Sequence, residues 1–402
     1  MPNREDLVPV NEPLIGRNAL AYVTQCLETG WISSAGSFIR RFEQEFARYL
    51  GVKHAITTTS GTTALHLAMA SLGLGPGDEV IVPALTMIAV PYAVVYTGAE
   101  PVFVDVDPEI YALDPKKVRE FIDEDCVFDP KEGKLLNKRT GRTVRAIVPV
   151  HLYGHPCDMD EILAVARPYN LAVIEDAAEA HGALYFPGGN KASGRLAGTI
   201  GLAGCFSFYA NKIVTTGEGG MVVTADDSLA ERARRLKDLA HDPERRFLHT
   251  ELGFNYRLTN LQAAIGVAQL EEIDRFIAIK QEMARTYQEL LSGVPGLVLP
   301  QEKEWARSVY WMYAVLVEKE FGLSRDDLMR RLKEKGVDTR TFFIPLHRQP
   351  FFQAKEAYQS LSFPVSEALS EKGLYLPSGL ALTKDQMKRV AAEINQIAPK
   401  PL

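Results

Sequence analysis

Between Gly51 and about Thr224, the sequence alternates short apolar runs with stretches of helical periodicity. This alternation is typical of strands joined by crossover helices in a largely parallel sheet. Several runs are apolar almost throughout, as expected when helices cover both faces of the sheet. The candidate strands are HAITTT, EVIVPA, PVFVDV, VRAIVPV, LAVIED, GCFSFY and GMVVTA. We therefore predict a large α/β domain built on a seven-stranded, mainly parallel sheet.

Two segments interrupt this alternation. Residues 126–145 are polar and rich in Lys, Arg and Gly, and we interpret them as a surface excursion such as a hairpin. A Gly-rich loop begins at Gly182 and ends where the GCFSFY run starts. Its composition fits a flexible region beside a pocket and a plain surface loop equally well.

The pattern becomes helical after about Leu258, which predicts one long helix or two. From Tyr310 onward, short strands alternate with amphipathic helices, as in a compact α+β unit. A chain of 402 residues exceeds what one hydrophobic core usually serves. We therefore predict a large domain over residues 1–257, and a linking helix with a small C-terminal domain over residues 258–402.

The charge and cysteine patterns narrow the classes of partner. A formal net charge of −6, with acidic and basic residues interspersed, gives no basic stripe for nucleic acid and no polybasic run for a membrane. The four cysteines are far apart and show no metal-binding spacing with histidine. There is no signal-peptide pattern and no apolar run of about 18 residues. We expect a cytoplasmic protein, without a metal, whose partner is a small molecule.

The first chemical motif joins the HAITTT run to a helix. Its residues are Thr59-Ser60-Gly61-Thr62-Thr63-Ala64. A helix N-terminus presents unpaired N–H groups and a partial positive charge, and Gly61 allows close approach, so Ser60, Gly61 and Thr62 can hold a phosphate. Simple N-capping by Ser or Thr explains the same residues equally well.

The second motif is Glu175-Asp176 at the carboxyl end of the LAVIED run, where open α/β sheets place their ligands. A carboxylate after four apolar residues is partly removed from water and requires a cationic or hydrogen-bonding partner. Capping of the following helix is an equally good explanation of Asp176.

The third motif is Phe206-Ser207-Phe208-Tyr209-Ala210-Asn211-Lys212, followed by a Gly-rich turn. A lysine just beyond an aromatic strand can be partly desolvated and hence nucleophilic. Most lysines are surface charges, but here the ends of parallel strands would bring the three motifs together. A phosphate cup, a buried carboxylate and a nucleophilic lysine are what pyridoxal phosphate requires: the lysine forms a Schiff base, and the carboxylate keeps the pyridine nitrogen protonated.

Five motifs in order resemble the DegT/DnrJ/EryC1/StrS sugar aminotransferases. They are SGTTALHLA, VIEDAAEAHGA, CFSFYANK, TTGEGGMVVT and LGFNYRLTNLQAAIGVAQLE, and the resemblance runs from about Val10 to the C-terminus. It implies the pyridoxal-phosphate-dependent transferase fold of type I, as in aspartate aminotransferase. It also implies amination of a nucleotide-linked keto sugar by glutamate.

Three further segments are similar to the members that aminate C4 of GDP-4-keto-6-deoxymannose to give GDP-perosamine, a sugar of O-antigens and other glycans. These segments are VNEPLIG with ETGWISSAGSFIRRFE, the EDAAEAHGA variant, and DTRTFFIPLHRQPFF. A UDP- or dTDP-linked keto sugar remains the alternative substrate.

The resemblance also implies roles for individual residues. Lys212 carries the cofactor and moves the proton between cofactor and substrate carbons. Asp176 pairs with the pyridinium nitrogen, while Gly61, Thr62 and Ser207 hold the phosphate.

Further positions involve a partner subunit or depart from the family pattern. Family members are homodimers with shared sites, which implies that Asn255 reaches the phosphate from the neighbouring subunit and that Arg257 and His347 contact the sugar nucleotide. Glu179 stands where most relatives carry Gln, near the cofactor's ring hydroxyl. Met87 stands where relatives usually stack an aromatic ring on the cofactor, although a thioether can also pack against a ring.

Two nearby residues and three other functions stay open. Tyr92 and His181 fit core packing as well as a direct role. A sugar 3-dehydratase, which uses pyridoxamine phosphate, typically carries histidine where this chain has Lys212. A non-catalytic sugar-nucleotide sensor would not need Lys212, Asp176 and Ser207. An oxidoreductase is disfavoured because no G-x-G-x-x-G opens a helix after the first strand.

Overall fold

The computed structural model describes residues 7–242, 244–245 and 247–399. The first six residues of the predicted large domain lie outside these ranges. The α-helices in chain order are α1 (Ala19–Thr29), α2 (Ser37–Leu50), α3 (Gly61–Leu72), α4 (Ala89–Tyr96), α5 (Pro115–Asp125), α6 (Met159–Ala166), α7 (Asp227–Lys237), α8 (Asn260–Leu270), α9 (Ile273–Leu291), α10 (Arg325–Glu334), α11 (Pro350–Gln353), α12 (Glu356–Gln359), α13 (Pro364–Lys372) and α14 (Lys384–Ile397).

The strands follow the same order along the chain. They are β1 (His54–Thr58), β2 (Asp78–Pro83), β3 (Glu100–Val104), β4 (Cys126–Asp129), β5 (Lys134–Asn137), β6 (Thr143–Ile147), β7 (Ala172–Asp176), β8 (Leu184–Tyr185), β9 (Arg195–Leu196), β10 (Ala203–Ser207), β11 (Gly220–Thr224), β12 (Leu297–Val298), β13 (Ala306–Arg307), β14 (Tyr313–Val317), β15 (Arg340–Thr341) and β16 (Gly373–Leu376).

The large sheet contains all seven strands that the apolar runs predict. Its order is β1-β11-β10-β7-β6-β2-β3. Every pair from β10 to β3 is parallel, and β11 runs antiparallel to both of its neighbours. The prediction of a mainly parallel α/β sheet is therefore confirmed. The fully buried pattern of β10 and β11 explains why their sequences are apolar throughout.

Helices cover both faces of this sheet. The core on one face includes residues of α2, α3, α4, α7 and α8, and the core on the other face includes residues of α5 and α6. Aromatic rings fill the first core: Phe46 of α2 packs edge-on against Phe206 of β10 and against Phe208, two residues further along the chain and hence on the same face. The sheet is thus the middle layer of three.

The polar segment 126–145 is a hairpin, formed by β4 and β5. It also joins the large sheet, because β5 pairs antiparallel with β6. Glu79 anchors the chain after this hairpin: its buried carboxylate accepts hydrogen bonds from Asn137 Nδ2 at 2.8 Å and Thr140 Oγ1 at 2.7 Å. The sheet therefore has nine strands where the apolar runs predict seven, since neither hairpin strand carries a strong apolar pattern.

The Gly-rich loop from Gly182 contains two short strands, β8 and β9. They pair with each other, and β8 also pairs with β13. The loop is therefore tied to the segment that leads into the small domain.

The long helical stretch is two helices, α8 and α9, separated at residues 271–272. Thr259 and Gln262 form a capping box that begins α8. Beyond α9, the antiparallel sheet β12-β14-β16-β15 has its own core, shared with α9, α10 and α14. This is the α+β unit that the sequence predicts.

The segment before α1 forms hydrogen bonds with loops that flank the small sheet. Val8 bridges Val337 in parallel, and Ser378 donates a backbone hydrogen bond to Val10 O at 2.8 Å.

The four cysteines are buried free thiols. Within the described ranges, no helix is long and apolar enough to cross a membrane, and no cluster of three or more His, Cys, Asp or Glu side chains could hold a metal.

Candidate active site

The carboxyl ends of β7 and β10 meet at one edge of the large sheet. The two strands are parallel neighbours, and Cys205 of β10 pairs with Asp176 at the end of β7. Lys212 lies in the turn that follows β10. Since loops after neighbouring parallel strands share one edge, Lys212 and Asp176 lie on the same side of the sheet.

Asp176 is a buried carboxylate with spare bonding capacity. Its Oδ1 accepts a hydrogen bond from the Ala178 N–H at 3.0 Å, and its Oδ2 has no hydrogen-bond partner among the described residues. Burial raises the pKa of Asp176, while the positive charge of Lys212 opposes that shift. The free oxygen can therefore receive a cationic N–H group.

Glu179 lies one turn beyond Asp176 and faces the same lysine. Its Oε1 is 3.4 Å from Lys212 Nζ, and its Oε2 accepts the Tyr153 N–H at 2.8 Å. Burial raises the pKa of Glu179, and Lys212 again opposes the shift. The lysine amine thus lies beside the buried carboxyl group of Glu179, and its charge also acts on that of Asp176.

The N-terminus of α3 forms a cup with unpaired donors. Ser60 caps the helix, because its Oγ accepts the Thr63 N–H at 3.2 Å and its own N–H donates to Thr63 Oγ1 at 2.9 Å. The capping interpretation of Ser60 is therefore confirmed. The N–H groups of Gly61 and Thr62 have no partner among the described residues, so they can bind an anion.

Ser207, the last residue of β10, closes this cup. Its Oγ accepts a hydrogen bond from the Tyr209 N–H at 3.3 Å, which leaves its O–H free to donate. A Cβ added at Gly61 would lie 2.7 Å from Ser207 Cβ, so only glycine allows α3 to approach β10 this closely. The cup, Asp176 and Lys212 therefore lie along neighbouring strands.

Trp311 covers the lysine, and nothing in its local sequence singles it out. Lys212 Nζ is 3.9 Å from the centroid of the Trp311 ring, within cation–π range. The indole Nε1 donates to the Asn211 carbonyl at 2.8 Å. Local sequence patterns do not reveal this contact, because Trp311 lies in the segment before β14, about 100 residues along the chain from the lysine.

Tyr153 is a second residue that sequence patterns miss. Its backbone is left-handed, with φ of 54°, which costs a non-glycine residue free energy. Its ring stacks on Trp311 at an interplanar angle of 13° and on Phe343 at 6°. The strained conformation lets its N–H reach Glu179.

The expected substrate residues have polar partners outside this cluster. Arg257 forms an ion pair with Asp238. The buried His347 ring forms a hydrogen bond with Glu367 at 2.8 Å. Asn255 forms a backbone bridge with Asp238.

The structure also gives the surroundings of Met87, Tyr92 and His181. Met87 is half exposed, at 49%, just before α4. Tyr92 packs against Phe351 and Tyr96. His181 packs between Phe206 and Phe208, and burial lowers its pKa to about 3, so its ring is neutral.

Comparison with known proteins gives consistent results along the chain. The model of the DegT/DnrJ/EryC1/StrS aminotransferase family matches residues 13–395. A GDP-perosamine synthase of Caulobacter vibrioides is 44% identical over 97% of this chain and 98% of its own length. A GDP-perosamine synthase of Escherichia coli O157:H7 is 40% identical over 97% of this chain and 98% of its own length.

Solved structures share the fold. DesV of S. venezuelae superposes with a TM-score of 0.82 at 36% identity, covering 94% of each chain. DesI, solved in the presence of its TDP-sugar product, gives a TM-score of 0.84 at 31% identity, covering 98% of this chain and 93% of its own. The likeness therefore extends over almost the whole chain.

Proposed function

Because this chain belongs to the DegT/DnrJ/EryC1/StrS aminotransferase family, and is therefore a pyridoxal-phosphate-dependent aminotransferase of fold type I, we propose that it aminates C4 of GDP-4-keto-6-deoxymannose, with glutamate as donor, to form GDP-perosamine. The observation that carries the chemistry is the placement of the Lys212 amine, the Asp176 carboxylate and the unpaired donors of α3 at one sheet edge. The choice of sugar nucleotide is supported by the perosamine-forming relatives.

The residues at this edge fit the cofactor. The unpaired N–H groups of Gly61 and Thr62, with the free hydroxyl of Ser207, would hold its phosphate. The unpartnered Oδ2 of Asp176 would accept a hydrogen bond from its protonated ring nitrogen and so keep the proton there. When bound, pyridoxal phosphate supplies an aldehyde carbon that takes up the amino group and a ring that accepts electrons.

We assign the proton transfers to Lys212. Its Nζ removes the proton from Cα of glutamate, and in the second half of the cycle it delivers a proton to C4 of the sugar. Glu179 and the Trp311 ring both lie against this amine, so they hold it in place between transfers. Glutamate leaves as 2-oxoglutarate before the keto sugar binds, which makes the kinetics ping-pong.

We further propose a homodimer that shares its active sites, working in the cytoplasm on a glycan precursor. Large apolar side chains on α1 and in the loop before α8 are open to solvent, with Leu20 80% and Leu252 83% exposed. Leu20 and Leu27 are both more than half exposed and lie seven residues apart, hence on one face of α1, and an apolar patch on one face marks an association surface. In such a dimer, Asn255 and Arg257 would reach the neighbouring subunit's site. The free thiols suit a reducing compartment.

Two other functions are disfavoured by particular residues. A sugar 3-dehydratase typically carries histidine at the position of Lys212. A non-catalytic sensor would have no need of an amine held beside a buried carboxyl group. A TDP-linked sugar is the second candidate substrate, because DesI was solved with its TDP-sugar product.

A substrate panel tests the proposal. Purified enzyme is mixed with glutamate and a GDP-, UDP- or dTDP-linked 4-keto-6-deoxy sugar, and the amino sugar is measured by mass spectrometry. We expect amination of the GDP-linked sugar by wild type and none by Lys212→Ala. Amination of only the UDP or dTDP sugars would overturn the substrate assignment.

A further inference from the structure

Lys280 is the one lysine or arginine that is buried among the described residues. It lies on the inner face of α9, with 1% of its surface exposed. Burial lowers the pKa of Lys280 to about 7, and no carboxylate among the described residues opposes this shift. A cation removed from water without a carboxylate partner is costly, so its position calls for a role that an apolar side chain would not fill.

The Lys280 ammonium group binds two backbone carbonyls. Nζ donates to Trp311 O at 2.8 Å and to Ser378 O. Trp311 lies just before β14, and Ser378 just after β16. Lys280 therefore ties α9 to both segments where the small sheet meets the large domain.

Ser378 is itself fixed from three sides. Its Oγ donates to Leu376 O at 2.7 Å and accepts the Tyr313 N–H at 2.9 Å, while its N–H donates to Val10 O. The carbonyl that Lys280 binds there is consequently held rigidly. Because Nζ of Lys280 is bonded to this fixed carbonyl, it also restrains the carbonyl of Trp311, to which it donates its other hydrogen bond.

The other end of Trp311 reaches the active-site lysine. Its Nε1 donates to the Asn211 carbonyl, and its ring lies 3.9 Å from Lys212 Nζ. Asn211 O also accepts a hydrogen bond from Asn11 Nδ2 at 3.1 Å. Trp311 thus contacts two lysines: Lys280 donates a hydrogen bond to its backbone carbonyl, and Lys212 lies against its indole ring.

We propose that Lys280 is a positioning residue for the amination reaction: by holding the Trp311 carbonyl, it fixes the indole that covers Nζ of Lys212. This inference rests on Lys212 being the reactive lysine. An indole face stabilises the charged amine and excludes water from it, so a small shift of the ring alters both the exposure and the orientation of the amine. Removing the two bonds from Lys280 frees the Trp311 backbone to shift.

The test compares two Lys→Met variants of the full-length chain. Lys280→Met removes the buried donors, and Lys384→Met makes the same change on an exposed lysine whose partner, Glu282, also belongs to α9. The cofactor is stripped, and the modification of Lys212 by trinitrobenzenesulfonate is followed by peptide mass spectrometry. We expect Lys212 of Lys280→Met to react roughly threefold or more faster than wild type, and Lys384→Met to match wild type.

The holoenzyme supplies the second readout. We expect Lys280→Met to lower kcat about tenfold while changing the KM for each substrate less than about twofold, because binding groups are untouched. Adding Trp311→Phe to Lys280→Met should cost no more than the larger single change, since both act through one indole. Unchanged Lys212 reactivity in a folded Lys280→Met, or additive losses in the double variant, would overturn the proposal.

Folding and the identity of the substrate do not confound this test. If Lys280→Met does not fold, Lys280→Leu, which also lacks a donor, carries the same comparison of Lys212 reactivity. The modification rates are measured without substrate, so they decide the role of Lys280 even if the enzyme aminates a different sugar.

Discussion

Gly61→Ala is the sharpest test of the anion cup. The new methyl group would lie 2.7 Å from Ser207 Cβ and 3.2 Å from Ser207 Oγ. Carbon atoms normally approach no closer than about 3.5 Å, so the first turn of α3 and the end of β10 must separate by roughly 0.8 Å. The two walls of the cup would then move apart.

The free-energy changes can be estimated separately for folding and for binding. Overpacking costs about 1–3 kcal/mol, and the preference of a helix for alanine over glycine returns about 1 kcal/mol, so stability should fall by ~0–2 kcal/mol. A displacement of ~0.8 Å breaks at least one hydrogen bond to a charged phosphate, which is worth about 1.5–3 kcal/mol. Affinity for pyridoxal phosphate should therefore fall by roughly 10- to 150-fold.

The assay is equilibrium binding of pyridoxal phosphate, followed by its absorbance, with thermal unfolding measured in parallel. Gly75→Ala is the matched control, because a Cβ there meets only the Thr97 carbonyl at 3.9 Å. We expect wild-type affinity in the control. Wild-type affinity in a folded Gly61→Ala would refute the placement of the phosphate between α3 and Ser207.

Three further predictions concern the carboxylates and the surface. Asp176→Asn removes a buried charge, so turnover should fall by roughly 10²- to 10³-fold with the circular dichroism spectrum kept; a loss below about tenfold in steady-state assays would contradict its role. Burial raises the pKa of Glu179 above its ordinary 4.5, so above pH 4.5 the folded state binds more protons than the unfolded state and this contribution to stability falls as pH rises. The free energy of unfolding of Glu179→Gln, measured by chemical denaturation, should lack that decline, which is at most ~1.4 kcal/mol per pH unit. Parallel curves of unfolding free energy against pH for variant and wild type would contradict this prediction. Leu20→Asp on α1 should shift the protein from dimer to monomer in sedimentation velocity, while an unchanged sedimentation coefficient would exclude α1 from the interface.

The large sheet was predictable because its strands are buried on both faces. Apolar runs such as those of β10 and β11 are the direct consequence, and the order of parallel strands then places Asp176 near Lys212. The hairpin of β4 and β5 left a weaker signal. Its strands lie at the margin of the sheet, and only three of their eight residues are buried, so their composition resembles that of a loop.

The contacts of Trp311 and Tyr153 could not be predicted from local patterns. Trp311 reaches Lys212 only because the small domain packs on the large one, and no sequence period records such a contact. Tyr153 adopts a left-handed backbone that its residue type disfavours, held by the aromatic rings around it. Likewise, the pairing of Val8 with Val337 joins residues at opposite ends of the chain.

The most direct test of the central claim uses glutamate alone. Wild-type enzyme loaded with pyridoxal phosphate is mixed with excess glutamate and no sugar, and its visible absorption is followed together with 2-oxoglutarate release. The arrangement of Lys212, Asp176 and the α3 cup predicts that the yellow colour bleaches while about one 2-oxoglutarate forms per site, and that Lys212→Ala produces none. Yellow colour that persists in wild type despite ample glutamate would contradict it.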